Sequence, residues 1–447
     1  MTYNHNFDRH AVNLVLGHEA SYNRYDDVQA SVTGLTLNIE SLGAGTVDPA
    51  APAGGGIYDG ASESYFGRLS YTYDNRYSIT GSLRRDGSSS FGPGKRIGYF
   101  PAASAGWTVT NENFAKEWTG LNFFKLRVGI GATGVSNTGT NNPYTTNIRL
   151  ATNANGLFGQ SGVAGVPANV GNPDLSWESV KTYNAGIDAS ILNKRIDITV
   201  DVYKKITTRM ILATTLPSFA GLDPNPPNNS YQEIEPPYTN AGQMTNTGID
   251  LGITTHNIQG KDFTWNTILV FSHYKNILDK LYAPGAILFG KSQAFAPVTL
   301  TQTQSGHPVG SFYGYVTDGL YRTMDDLNKG PAQSLPVGVQ GTWLGDIRYK
   351  DLNGDKVVNS ADQQFIGNPN PKFTYGITNT FSYKGLDLSI FLTGVYGSQI
   401  FNYSRTETES LFNVYQNQLS TVMDRYTATN PNGKLPRYNQ FSHTNLK

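Results

Sequence analysis

The segment from Asp351 to Asp362, reading Asp-Leu-Asn-Gly-Asp-Lys-Val-Val-Asn-Ser-Ala-Asp, carries side-chain oxygens at its first, third, fifth, ninth and twelfth positions. A hard cation needs six or more oxygens from a tightly wound stretch of chain, and this spacing supplies them. Asp351, Asn353, Asp355, Asn359 and Asp362, with the backbone carbonyl of Val357 at the seventh position, therefore form a candidate calcium loop. Two features depart from the pattern: Lys356 stands where a turn glycine is expected, and Asp362 replaces the bidentate glutamate. The competing account is an ion-free loop of Asx turns, in which the same side chains cap their own backbone. With either account the expected role is bracing of the long loop around it, not catalysis.

A second stretch, 214–245, collects Pro217, Phe219, Pro224, Pro226, Pro227, Tyr231, Pro236, Pro237 and Tyr238. Proline stiffens such a loop, so aromatic faces are presented at low entropic cost. Phe219, Tyr231 and Tyr238 are the candidate substrate contacts, because rings beside asparagines suit stacking on sugars and hydrogen bonding to them. The alternative is a lid packed on its neighbours or on a partner protein.

The remaining motifs lose their chemistry on inspection. Gly129-Ile130-Gly131-Ala132-Thr133-Gly134 fits a dinucleotide fingerprint, but Val135-Ser136-Asn137-Thr138-Gly139-Thr140 cannot open the helix whose N-terminus should receive the pyrophosphate. Glycines in a crowded strand explain it better. The histidines at 5, 10, 18, 256, 273, 307 and 442 show no zinc-binding spacing. No GxSxG turn occurs, and the pairs Asp325-Asp326 and Glu407 with Glu409 read as solvated loop charges. No enzyme is expected.

What must position the candidates is a β-structure. The 447 residues include 48 Gly and 27 Tyr, with only 15% charged residues and 34 basic against 34 acidic groups. This balance offers no field for nucleic acid. Cysteine is absent, which removes disulfides and thiolate chemistry and suits an exported bacterial protein. No run of about eighteen apolar residues exists, so no membrane helix is expected, while a closed barrel stays open as the other way to satisfy a backbone in lipid.

Period-two alternation recurs in about eleven segments, near 11–21, 65–73, 77–86, 100–110, 123–132, 179–190, 195–206, 245–256, 263–273, 373–383 and 386–397. Ile196, Ile198, Val200 and Val202, for example, alternate with Asp197, Thr199, Asp201 and Tyr203. Segments of about ten residues suit a tilted strand crossing a hydrocarbon layer, whereas a soluble sandwich more often uses five or six. The connections alternate long and short along the chain, with 87–99 assigned to the long set and 111–122 to the shorter one. Short turns on one side and long loops on the other are the outer-membrane pattern, periplasmic and extracellular respectively. Tyr65, Tyr71, Tyr73 and Tyr77 flank one short turn, and Tyr375, Phe381 and Tyr383 approach another, as in an interfacial girdle.

Ordered blocks then carry a family resemblance. Ser64-Tyr65-Phe66-Gly67-Arg68-Leu69-Ser70-Tyr71, the run from Tyr77 to Ser89, Gly98 to Trp107, Asn172 to Glu178, Asp201 to Lys205, Asn246 to Asp250, Gly306 to Gly314 and Gly345 to Asp355 together resemble the barrel of SusC/RagA-type TonB-dependent transporters, outer-membrane importers of Bacteroidota. The resemblance implies an all-β fold: part of an antiparallel transmembrane barrel of about 22 strands, roughly half of them present. It also implies import of an oligosaccharide or peptide beneath a SusD-like surface lipoprotein, driven by the TonB–ExbB–ExbD complex through a plug. Residues 1–447 are expected to be a partial barrel domain, without signal peptide, plug, TonB box or closing C-terminal strands. The alternative is a soluble extracellular β-rich glycan-binding module, with strands near six residues and with Trp265, Leu388 and Ile390 buried.

Overall fold

A computed structural model describes residues 1–35, 43, 45–47, 54–138, 142–151, 164–167, 169–214, 237–291, 299–411 and 417–438. Its main feature is a sheet of twelve strands hydrogen-bonded in chain order. They are numbered here β1 (Thr2–Phe7), β2 (His10–Gln29), β3 (Gly54–Tyr73), β4 (Tyr77–Ser88), β5 (Ile97–Thr108) and β6 (Leu121–Val135). The order continues with β7 (Glu178–Ile191), β8 (Ile196–Ala213), β9 (Tyr238–Gln259), β10 (Phe263–Lys280), β11 (Phe373–Tyr383) and β12 (Leu386–Tyr396). The chain divides into two compact units, Met1–Ile268 with Thr380–Leu388, and Leu269–Asn379 with Ser389–Lys447.

Side chains in the first unit sort by ladder row. One row runs Val12–Tyr71–Ile79–Ala105–Val128–Ala185–Val202–Ile249, one residue from each of β2 to β9, and contains no charge. The rows on either side of it run Asn13–Ser70–Thr80–Ser104–Gly129–Asn184–Tyr203–Gly248 and Ala11–Thr72–Ser78–Gly106–Arg127–Gly186–Asp201–Asp250. Since adjacent residues of a strand point to opposite faces, the sheet has one apolar and one polar face. Ile79 is 60% exposed, Val128 56% and Val202 48%, so these apolar side chains face outward with none of the described residues covering them. In water that would be an aggregation surface; in a bilayer it is the lipid face.

Short turns form where residues tolerate a left-handed backbone. Asp74 and Asn75, at φ 50° and 51°, close β3 onto β4, and Lys384 with Gly385, at 44° and 88°, closes β11 onto β12. Two successive positive-φ residues match the right-handed twist of the strands they join.

The sheet differs from the sequence expectation in four respects. Twelve strands are present against about eleven expected; the additional β1, Thr-Tyr-Asn-His-Asn-Phe, has no aliphatic residue and is marked instead by Tyr3, His5 and Phe7 stacking in succession. Most strands are also longer than ten residues, reaching 20 in β2 and β3 and 22 in β9. Tilted by about 45°, a strand of that length rises roughly 45 Å, beyond a hydrocarbon core of about 30 Å. Its upper half meets water and loses the alternation, as in Tyr22–Gln29 against Gly54–Ala61. Extension of β4 and β5 also shrinks one expected long loop to 89–96, shorter than 109–120 on the opposite side. Finally, Tyr65 and Tyr375 lie away from the short turns, Tyr375 being the third residue of β11. The soluble-module alternative fails on strand length and on Leu388 and Ile390, which are 56% and 44% exposed.

Residues 274–372, expected as one very long connection, carry further strands among the described residues. In the second unit Ile287–Lys291, Thr299–Gln304, Ser311–Tyr315 and Gln363–Gly367 form a four-stranded sheet, and Thr317–Leu320 pairs with Ile347–Tyr349.

Candidate functional site

On the polar face, Arg127 of β6 binds two carboxylates at once. Its Nε and Nη2 donate to Asp188 at 2.7 and 3.0 Å, and Nη1 and Nη2 donate to Asp201 at 3.0 Å each. Gly186 separates Arg127 from Asp201 in the ladder, and a Cβ there would lie 2.4 Å from an Asp201 oxygen. A second cluster joins Arg84 to Asp86 at 2.6 Å and to Glu19 at 3.3 Å. The two pairs of Arg127 are bidentate and hold a fixed shape, while Arg84 makes one bond to each of its carboxylates.

At the long-loop ends of the first unit, Asn172 to Glu178 is fastened to β8 and β9. The Asn172 amide donates to the Tyr238 carbonyl at 2.7 Å, Ser176 N–H donates to Asn240 at 2.8 Å, and the Asn240 amide returns a bond to the Ser176 carbonyl at 2.7 Å. Leu175 and Phe91 are fully buried, and Trp177 packs on both Phe91 and Phe100 while its indole donates to the Arg96 carbonyl at 2.9 Å. Of the three candidate substrate contacts, Tyr238 opens β9 on this platform, whereas Phe219 and Tyr231 lie outside the described residues.

The six candidate calcium ligands do share one loop, in the second unit. Asp362 is fully buried and accepts from Leu352, Asn353 and Asn359 N–H at 2.8, 3.4 and 2.8 Å. Those amides hold its carboxyl below the usual carboxylate range, the Asn359 bond contributing most. Asp351 accepts from Gly354 and Lys356, Asn353 from Asp355, Asp355 from Val357, and Asn359 from Ala361, at 2.6 to 2.9 Å. Lys356, at φ 65°, takes the left-handed turn expected of a glycine. The oxygens thus serve the loop's own backbone, and among the described residues no three acidic or histidine side chains form a metal-binding group.

The other sequence motifs become structural. Gly129, Gly131 and Gly134 lie within β6, and a Cβ on Gly134 would strike the Phe100 ring at 2.0 Å. Asp326 caps the helix Met324–Lys329, Asp325 pairs with Lys329, and Glu409 pairs with Arg405. The Arg127 network escaped sequence reasoning because its members are 61 and 74 residues apart. Only the register of three strands brings them together.

Residues 1–357 match the family model described as TonB dependent receptor-like, beta-barrel. The chain is 30% identical over 455 aligned positions to TonB-dependent receptor P3 of Formosa agariphila, covering 98% of this chain and 42% of that protein. It is 29% identical over 368 positions to TonB-dependent receptor SusC of Bacteroides thetaiotaomicron, covering 79% of this chain and 34% of that one. The chain therefore spans less than half the length of these relatives. Among solved structures, the RagAB peptide transporter superposes with a TM-score of 0.78 at 23% identity, over 99% of this chain and 45% of that one, a likeness of fold.

Proposed function

This chain belongs to the TonB-dependent receptor-like β-barrel family and is an outer-membrane protein of the SusC/RagA type, and from that premise we propose that the intact protein is a TonB-dependent importer of oligosaccharides or peptides. The observation carrying the reading is the strict alternation of ladder rows, an uncharged apolar row flanked by rows bearing Arg127, Asp201, Asn184 and Thr80. A wall with lipid on one side and fixed charges on the other suits passage of a hydrated solute. The name SusC favours a partner of the SusD type, a surface lipoprotein lid, and the name RagAB peptide transporter keeps peptides in the substrate class. Energy would come from the TonB–ExbB–ExbD complex acting on a plug.

Within this scheme the aromatic loop with Phe219 and Tyr231, and Tyr238 at its foot, would meet the solute at the extracellular mouth. Calcium would be an addition to the 351–362 loop, taken up on lone pairs that the amides leave open on Asp351, Asn353, Asp355, Asn359, Asp362 and the Val357 carbonyl. The test is uptake. Cells lacking the gene should lose accumulation of fluorescent oligosaccharides or short peptides, and the full-length gene should restore it only while TonB is functional. Accumulation that is unchanged by the deletion, for both solute classes, would overturn the proposal.

A further inference from the structure

The second unit holds a cleft of about 300 Å³ that none of the preceding roles uses, lined by Arg405, Thr406, Glu409, Ser410, Arg425 and Arg437 among others. Its charges do not cancel locally. Arg437 is neutralised by Asp346, with Nε to Oδ1 at 2.7 Å and Nη2 to Oδ2 at 2.9 Å. Arg405 is neutralised by Glu409, with Nε to Oε2 at 2.8 Å, and the other Glu409 oxygen accepts from Thr421 at 2.8 Å.

Arg425 is different. It is 8% exposed, and its three nitrogens donate to the carbonyls of Val422, Pro436 and Glu409 at 3.3, 3.2 and 2.6 Å. Among the described residues it forms no ion pair with a carboxylate. Three carbonyls take three of its five N–H donors without cancelling its charge; burial pulls its guanidinium below the usual value, and the nearby Glu409 carboxylate offsets this only in part. Among the described residues lining the cleft, three guanidiniums face the single carboxylate of Glu409, with Asp346 behind Arg437. Glu409 acts on both Arg405 and Arg425, so the buried Arg425 shares its counter-ion; such under-compensation is costly, and an incoming anion relieves it. The hydroxyls of Thr406 and Ser410 line the same cleft.

We propose that this cleft is a binding site for one carboxylate-bearing residue of a ligand, such as an acidic sugar or a peptide carboxylate, held by the buried Arg425 and the more exposed Arg405, which share Glu409. The volume lies at the lower bound of ligand pockets, which suits a single residue and not a chain. The site does not depend on the transport reading, and its test is binding alone.

The full-length protein in detergent is titrated calorimetrically with sodium D-glucuronate and with sodium N-acetylglycinate, using D-glucose and N-acetylglycinamide as uncharged counterparts. At least one carboxylate should saturate a single site, at least tenfold more tightly than its neutral counterpart. Saturation by glucuronate alone assigns an acidic sugar, and by N-acetylglycinate alone a peptide carboxylate. Arg405→Gln, at a side chain 58% exposed, should weaken binding about tenfold without moving the unfolding temperature. Arg425→Lys, which keeps the charge and loses the fork, should weaken it less. Equal binding of the neutral counterparts, no saturation by either carboxylate, or undiminished affinity in Arg405→Gln would overturn the site.

Discussion

Arg127 of β6 reaches Asp201 of β8 across the whole width of β7, with Nη1 3.0 Å from Oδ1, because the residue between them in the ladder is Gly186. The same guanidinium holds Asp188 at 2.7 Å, so three strands are tied at one point on the polar face. Gly186 makes the closure possible by having no side chain. Its place is steric.

Gly186→Ala should therefore break the bridge. The added Cβ would stand 2.4 Å from an Asp201 oxygen and 2.8 Å from Arg127 Nη2. Overpacking of this kind costs about 1–3 kcal/mol. Thermal unfolding in detergent, followed by the loss of β circular dichroism, should shift downward; an unchanged midpoint would show that the network does not hold the strands.

Charge on the other face should act through lipid. Val128→Arg puts a cation into the uncharged row, where a charge at mid-membrane costs about 2–4 kcal/mol. Thr80→Arg, on the polar face, should cost far less. Yield of heat-modifiable barrel in the outer membrane compares the two, and equal yields would contradict the assignment of faces.

Acid should loosen the 351–362 loop. Amide donors lower the folded pKa of Asp362, so its carboxylate stabilises the loop above the unfolded pKa near 3.9, and that contribution is lost as pH falls through the depressed folded value. Hydrogen exchange of the Leu352 and Asn359 amides should accelerate over that range, and Asp362→Asn should show fast exchange already at neutral pH.

Chelation should leave the loop intact. The amides at 2.6 to 2.9 Å already occupy Asp351, Asn353, Asp355 and Asn359, so EDTA is expected to leave loop proteolysis unchanged, while millimolar calcium slows it if the remaining lone pairs bind the ion. Loss of the loop's protection on EDTA treatment would instead make calcium a requirement.

The sequence carried the fold class because alternation is periodic and local. Ile196 to Tyr203 declares its two faces within eight residues. It missed β1, whose periodicity resides in rings and not in aliphatics, and it shortened β2, β3 and β9 where both faces of the strand meet water. The calcium ligands were legible as a set, because Asp351 to Asp362 is contiguous. Their hydrogen-bond partners were not, because spacing cannot say whether an oxygen faces a cation or an amide. Arg127, Asp188 and Asp201, and likewise Arg405, Arg425 and Arg437, needed strand register or tertiary folding to meet.

The orientation of the two faces is the claim from which the rest follows, and the chain's lack of cysteine allows a direct measurement. Spin labels at Val128→Cys, Val202→Cys and Ile249→Cys, and at Asn184→Cys, Tyr203→Cys and Gly129→Cys, can be compared in reconstituted bilayers for collision with oxygen and with a water-soluble nickel chelate. The account predicts that oxygen dominates at the first three and the nickel chelate at the second three, switching between the adjacent positions 202 and 203. Equal access of the nickel chelate to both sets would contradict a lipid-facing row and with it the membrane wall.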